Sequence, residues 1–324
     1  MSQHKQENVS ESYFEKGISE SFDPDMALSD AMEEYKLMAN VDGRSENTLN
    51  IYDYVFGKFA NFLSEDTEIG SISTKMVRQY LAWLANNDFK KTTIAINHRV
   101  LNALFTWLVE ESFLKESPTE QIDKPKTPDK YPKVLNKNQL EKVLKAAKER
   151  KGSWSGFRNY VIVLVFIDTG IRRLELIGAK MDDLDLKSHS LKVHGKGAKD
   201  RKVYFGPKTL KALQRWRRAR EKVDLIWDDT IFISRDGEKM KPRNLNRRIS
   251  VIQEHAGLED IQVSPHVFRH TSATLAVENG LDAFSLKRQF GWEKIETAMR
   301  YVHMSDASIE KAYRESSPLS KIKD

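Results

Sequence analysis

The chain has 324 residues, 40% apolar and 31% charged, with 53 Lys and Arg against 47 Asp and Glu and a net charge of +6. That length accommodates two domains with buried cores, and the absence of cysteine excludes disulfides, thiolate zinc sites and cysteine nucleophiles. No apolar run is long enough for a membrane span and the first twenty residues are polar in character, which predicts a cytoplasmic protein with no membrane partner.

The charge is unevenly placed. Residues 1–24 hold Lys5 and Lys16 against Glu7, Glu11, Glu15, Glu20 and Asp23, so the rest of the chain is more basic than the net figure. With few large apolar groups to offset its ordering entropy, this segment is expected to be a disordered acidic tail. Apolar residues then recur three and four apart, which predicts helices over Ala27–Asn40, Glu46–Leu63, Thr74–Asn86 and Thr92–Glu111 and a helical N-terminal domain over residues 25–114. Leu49, Tyr52, Phe56, Phe59 and Leu63 share one face, as do Val77, Tyr80, Leu81 and Leu84. Ser45, Thr74 and Thr92 are the expected N-caps. On the polar side Arg44, Lys90, Lys91, His98 and Arg99 are candidates for phosphate contact, with plain solvation as the competing reading.

Residues 115–133 contain Pro118, Pro125, Pro128 and Pro132, four of the nine prolines in the chain, and read as an interdomain linker. Beyond it Asn136 is placed to cap a helix to about Lys148. Phe157 to Asp168 is apolar on most sides and predicts a helix buried in the second domain, stopped at Thr169-Gly170. From Leu184 the period alternates. Residues 190–206 read as two strands around a Gly-rich turn and residues 230–234 as a third, making a small antiparallel sheet on a helical body. Pro207 and Pro242 each open a basic helix, the second carrying Arg243, Arg247 and Arg248. The fold class is therefore mainly α (α+β).

Between Ser190 and Arg220 eleven Lys or Arg face Asp200 as the single acid. The run crosses a hairpin as well as a helix, which favours a phosphate-facing surface over an ordinary solvated face. A phosphodiester asks for bidentate cations on its nonbridging oxygens, a base for the nucleophile and an acid for the leaving oxygen. The second domain offers Arg172 after the Thr-Gly stop, Lys196 in the hairpin turn, His266 and Arg269 one turn apart, and Tyr301 nine residues after Trp292.

The segments TGIRRLEL (169–176), HGKGAKDRKV (194–203), HVFRH (266–270), GW (291–292) and RYVH (300–303), in that order, resemble the tyrosine recombinases, the phage-integrase and Xer-like enzymes. The likeness covers roughly residues 136–304 by motif, and the helical N-terminal part resembles the core-binding, SAM-like domain that precedes the catalytic domain in that family. It implies a catalytic domain over residues 134–304 and a tail over 305–324 that docks on a neighbouring protomer.

Carried over by that resemblance, Arg172 and Arg269 grip the scissile phosphate, where guanidinium forks suit paired oxygens. Lys196 gives a proton to the departing 5′ oxygen, although Lys199 and Lys202 are close rivals. His266 is the general acid/base, and Glu175 holds the site histidine or lysine in position. Trp292 stands where many relatives have histidine. Its indole N–H donates one hydrogen bond and shuttles no proton, and simple packing is its competing role. Tyr301 is the nucleophile, with Tyr313 as a rival outside the motif. An unperturbed phenol is about one-thousandth ionised at neutral pH, a cost of roughly 4 kcal/mol that a cationic pocket and a base must offset. His266 and His270 are four apart, as zinc pairs are, but no HExxH pattern or third ligand accompanies them, so no metal is expected and His270 reads as a packing residue. Lys199, Arg201, Arg243 and Arg247 join Arg44, Lys90, Lys91 and Arg99 as candidate DNA contacts.

The implied activity is metal- and ATP-independent site-specific recombination or integration through a 3′-phosphotyrosyl intermediate and a Holliday junction. The expected partners are double-stranded recombination sites, a homotetramer on DNA, and accessory DNA-bending proteins, in a nucleoid-associated setting. No cofactor is expected. Two alternatives accompany this reading, a type IB topoisomerase-like relaxing enzyme and a DNA-binding relative without catalysis.

Overall fold

Four amphipathic stretches of the first part of the chain fold as helices whose apolar faces meet: α1 (Leu28–Val41), α2 (Glu46–Leu63), α3 (Thr74–Asn86) and α4 (Lys91–Glu110). The computed structural model describes residues 23–126, 132–149, 152–195, 200–223 and 229–302, and the chain divides into two units, Met1–Lys130 and Tyr131–Asp324. The tails at both ends, and with them Tyr313, lie outside the described residues, as do Lys196 and Lys199.

In the first unit Phe59 meets Tyr80 and Phe105 edge-on, with ring centroids 5.0 and 6.3 Å apart, the geometry that ring quadrupoles favour. Tyr80 takes its hydroxyl into this core by donating to Asn97 Oδ1 at 2.7 Å, and the Asn97 amide is satisfied by Thr93 O at 2.9 Å. Ser45 caps α2 as expected. Helix α3 is capped by Ser73 rather than Thr74, since the Ser73 hydroxyl is the one that reaches Met76 N–H. Helix α4 starts at Lys91, one residue before Thr92, without a side-chain cap.

Part of the expected linker belongs to this unit. Thr119 is buried and donates to Asn102 Oδ1 at 3.1 Å, Arg78 donates to Gln121 O at 2.9 Å, and His98 Nε2 lies 3.0 Å from Ile122 O. His98 is thereby buried and is not a phosphate contact. Its helix position looked polar because its partner comes from 24 residues further on.

The second unit opens with α5 (Lys137–Glu149), which starts in a reciprocal cap. Gln139 N–H donates to Asn136 Oδ1 at 2.9 Å and Asn136 N–H to Gln139 Oε1 at 3.0 Å. Helix α6 (Trp154–Thr169) is buried along Val161–Phe166 and ends at Gly170, whose φ of +61° closes the helix. Glycine is required there twice over, because a Cβ would also lie 2.2 Å from Phe290. Helix α7 (Arg173–Gly178) follows at once.

The sheet is three-stranded and antiparallel, β1 (Leu184–Asp185), β2 (Ser190–Val193), β3 (Arg201–Tyr204), in that order. Buried Leu191 pairs with buried Val203 across the hairpin. Its third strand is not the expected 230–234 segment but Leu184–Asp185. Residues 230–233 make only isolated bridges, Lys180 with Thr230 and Ile233 with Lys239. Side chains take the carbonyls a neighbouring strand would use: Trp216 Nε1 donates to Ile231 O at 2.8 Å and Arg158 to Ile233 O at 2.7 Å.

Helices α8 (Pro207–Arg220) and α9 (Pro242–His255) start at the expected prolines. The chain then forms α10 (Pro265–Glu278), α11 (Ala283–Phe290) and α12 (Ile295–Val302). Ala273, Val277, Leu286, Phe290, Ala298 and Tyr301 make a small core between these last three helices. Among the described residues no helix is long and apolar enough to cross a membrane.

Candidate active site

Two left-handed glycines, Gly170 after α6 and Gly291 after α11, turn the chain at the centre of the site. Ser264 caps α10, which sets Arg269 one and a half turns into that helix, buried. Its guanidinium donates to Gly170 O at 2.5 Å and to Phe290 O at 2.6 Å, tying the two glycine turns together. It also lies over the Phe290 and Trp292 rings, 5.0 and 5.4 Å from their centroids. Arg172, at the mouth of α7, donates to Gly291 O at 3.1 Å and to Glu175 Oε1 at 2.9 Å. Its side chain is 42% exposed and carries further N–H groups.

The carboxylate of Glu175 is 8% exposed and sits among guanidiniums. Arg201, on β3, grips both oxygens at 2.9 and 2.8 Å, and beside the Arg172 side-chain bond the Arg172 backbone N–H adds a fourth at 2.8 Å. Burial alone would raise the Glu175 carboxyl, but these bonds and the Arg201 charge hold it down at about 2. Arg269 is drawn down to about 9 by burial and by the charge of Arg172, which still leaves it protonated at neutral pH.

Two expectations change here. Glu175 holds arginines and makes no hydrogen bond to His266 among the described residues, while Lys196, its other expected partner, lies outside them. Arg201 is 12% exposed, also donates through Nε to Gln289 O at 3.2 Å, and packs where a Cβ on Gly291 would lie 2.8 Å from its Cδ. It is turned inward, so it positions the site and is not a phosphate contact. In the sequence it is one cation in a basic run, with nothing to mark its partner 26 residues upstream.

Tyr301, on α12, is 3% exposed. Trp292 lies against its ring with centroids 5.2 Å apart and planes 4° from parallel, and Phe290 stacks on Trp292 at 4.9 Å. The Trp292 indole N–H has no hydrogen bond among the described residues. The Tyr301 hydroxyl lies 2.5 Å from His270 Nδ1, with the two rings 6.0 Å apart. Burial raises the Tyr301 phenol above its ordinary value, and the charges of Arg269 and Arg300 pull it only partly back. His270 is lowered by burial and then by His266, Arg269 and Arg300, so its imidazole is neutral at pH 7.

His266 is exposed on the first turn of α10 and touches Tyr301 through no hydrogen bond among the described residues. The histidine at the phenol is His270, for which the sequence predicts a packing role. Nothing local distinguishes the two, since the contact spans 31 residues and depends on how α12 docks on α10. Arg44, Lys90, Lys91 and Arg99 are exposed on the first unit, and Arg243 and Arg247 are exposed one turn apart on α9. Among the described residues no group of three or more His, Asp or Glu side chains is disposed to hold a metal ion.

These elements define a buried tyrosine beside a cluster of arginines on a helical scaffold. The Phage integrase family model matches residues 133–308, and the model of the phage integrase N-terminal SAM-like domain matches residues 33–112. The chain belongs to the phage integrase family, and its class is that of the tyrosine-type site-specific recombinases. It is 30% identical over 284 residues to tyrosine recombinase XerC of Thermodesulfovibrio yellowstonii, covering 86% of this chain and 93% of that protein. Tyrosine recombinase XerD of Listeria monocytogenes is 26% identical over 298 residues, covering 90% and 99%. The crystal structure of XerH site-specific recombinase bound to palindromic difH substrate, a post-cleavage complex, superposes with a TM-score of 0.73 at 22% identity, covering 88% of this chain and 83% of that one. That last likeness concerns the fold.

Proposed function

We propose that the protein cuts and rejoins double-stranded DNA at a specific site, with Tyr301 as nucleophile. The phenol oxygen attacks a phosphodiester to give a 3′-phosphotyrosyl link and a free 5′ hydroxyl, and a 5′ hydroxyl from a partner duplex reverses the step. The link conserves the phosphodiester energy, so neither ATP nor a metal is required. The observation that carries the reading is the placement of Tyr301 against Arg269 and Trp292, with Arg172 half-exposed on the same glycine turn.

Arg172 and Arg269 hold the phosphate in this reading, and guanidiniums already fixed by backbone carbonyls need little reorganisation to do so. Exposed His266 faces substrate as a donor or proton carrier, and Lys196 protonates the leaving oxygen. Arg44, Lys90, Lys91, Arg99, Lys199, Arg243 and Arg247 contact the DNA backbone. Four protomers assemble on two sites, with the tail over residues 305–324 docking on a neighbour and accessory DNA-bending proteins assisting. The protein acts in the cytoplasm on the nucleoid.

The test incubates the full-length protein with nicked duplex fragments from the DNA flanking its own gene and resolves them under denaturing conditions. A covalent protein–DNA adduct that disappears in Tyr301→Phe is expected. An adduct that survives in Tyr301→Phe, or none on any fragment, would overturn the reading.

A further inference from the structure

We propose that His270 is the catalytic residue that takes the proton from Tyr301. The inference rests on the reading of Tyr301 as nucleophile and adds an assignment that neither the motif nor the fold supplies.

The geometry is direct. His270 Nδ1 and the Tyr301 hydroxyl are 2.5 Å apart, within reach for proton transfer. The acceptor is fixed from two sides, by α10, which carries it, and by the Tyr301 ring lying 6.0 Å away at 27°. Burial favours a neutral acceptor, and so do the charges that face it, His266 and Arg269 on its own helix and Arg300 on α12, beside the Tyr301 hydroxyl. A neutral imidazole with its hydrogen on Nε2 presents the Nδ1 lone pair to the phenol. His266, the other histidine of the helix, is exposed and makes no hydrogen bond to Tyr301 among the described residues. It is therefore free for the phosphate, and the two histidines divide the work.

The Tyr301 O–H bond breaks and its proton passes to His270 Nδ1. The phenolate oxygen bonds to phosphorus while the bond from phosphorus to the 5′ oxygen breaks, and that oxygen is protonated by a separate acid, assigned above to Lys196. In rejoining, the incoming 5′ hydroxyl gives its proton to that acid's conjugate base, the phenolate leaves, and His270 returns the proton it held.

The test uses the full-length protein on the nicked duplex that forms the Tyr301 adduct, comparing wild type with His270→Gln and His270→Ala. At pH 7 both variants are expected to form the adduct slower by a factor of about 10² or more. Their rates should then climb about tenfold per pH unit between pH 7 and about 8.5, as hydroxide replaces the missing base, while wild type stays nearly flat over that window, which ends below the value of about 9 at which Arg269 loses its charge. A duplex with sulfur at the bridging 5′ position, a leaving group that needs no acid, should rescue Lys196→Ala and leave His270→Gln slow. His270→Gln keeps a polar side chain of similar reach, and its thermal melt and DNA binding report whether it is folded. A wild-type rate for folded His270→Gln, a defect equal at pH 7 and about pH 8.5, or rescue by the sulfur substrate would each overturn the assignment. Absence of a Tyr301 adduct in wild type would instead overturn the function on which it rests.

Discussion

The Trp292 indole lies flat against the Tyr301 phenol, 5.2 Å between centroids and 4° from parallel. Its N–H has no hydrogen bond among the described residues, so the ring face does the positioning. Trp292 sets where the phenol oxygen can swing, with Arg269 over its own ring. Stacking of this kind contributes about 0.5–1.5 kcal/mol beyond area burial. Trp292→Phe is expected to keep the adduct-forming rate within about threefold, and Trp292→Ala to lose roughly tenfold. Single-turnover rates on the nicked duplex check both, and equal losses in the two variants would show that the indole N–H matters instead.

The Glu175 carboxylate makes a pH-dependent clamp. Its folded value of about 2 lies below an ordinary value of 4.5. A depressed carboxyl contributes stability above its unfolded value, and that stability is lost as pH falls from about 4.5 toward 2. The contribution is on the order of 3 kcal/mol. Thermal melts of the second unit are expected to drop steeply over that window in wild type and less in Glu175→Gln. At neutral pH the variant is expected to be destabilised by about 3–5 kcal/mol, since removing the carboxylate leaves Arg201 and Arg172 facing one another.

Gly170 and Gly57 should respond oppositely to alanine. Gly170 has φ +61° and a Cβ there would lie 2.2 Å from Phe290, a ring packed under Arg269 and Trp292. Gly57 sits within α2 with nothing within 4 Å of an added Cβ. Gly170→Ala is expected to lower the melting temperature of the second unit and abolish adduct formation. Gly57→Ala is expected to stabilise the first unit by about 0.5–1 kcal/mol. Denaturant titration with unit-specific probes distinguishes the two.

His194 at the root of the β2–β3 hairpin is held between Asp200, 2.9 Å from Nδ1, and Asp183, 3.1 Å from Nε2. Lys192 pairs with the other Asp200 oxygen at 2.9 Å. The bonds to Asp200 and Asp183 raise His194 above its ordinary 6.5. The imidazolium and its two contacts are therefore present below that value and lost as pH rises through the raised one. An NMR titration of His194 is expected to give a midpoint above 6.5, lowered in Asp200→Asn. Amide exchange in Arg201–Tyr204 should quicken once His194 deprotonates. An unshifted midpoint would show that His194 does not anchor the hairpin.

Much of the helical scaffold was legible because it is written locally. The 3.6-residue period, Ser45, Asn136, Pro207, Pro242 and the Thr169-Gly170 stop each act within a turn of themselves, and α2, α9 and the end of α6 lie where those signals put them. The third strand was misplaced because residues 230–234 have strand composition, while the side chains that take their carbonyls, Trp216 and Arg158, come from two other helices. The inward settings of Arg201 and His98 are hidden in the sequence for a similar reason. A cation in a basic run and a histidine on a polar face look solvated until a partner 26 or 24 residues away covers them.

The sequence by itself determined the class of chemistry. Tyrosine in a set order with Arg172, Arg269 and a GW turn defines the family, because residue type and chain order are what a motif records. Only the tertiary structure decided who touches whom: that Arg201 holds Glu175, that Trp292 stacks on Tyr301, and that His270 rather than His266 meets the phenol. Those pairings follow from the docking of α12 on α10 and from the two glycine turns. Spacing along one helix specifies which residues share a face and carries no information about which of them a second helix will meet.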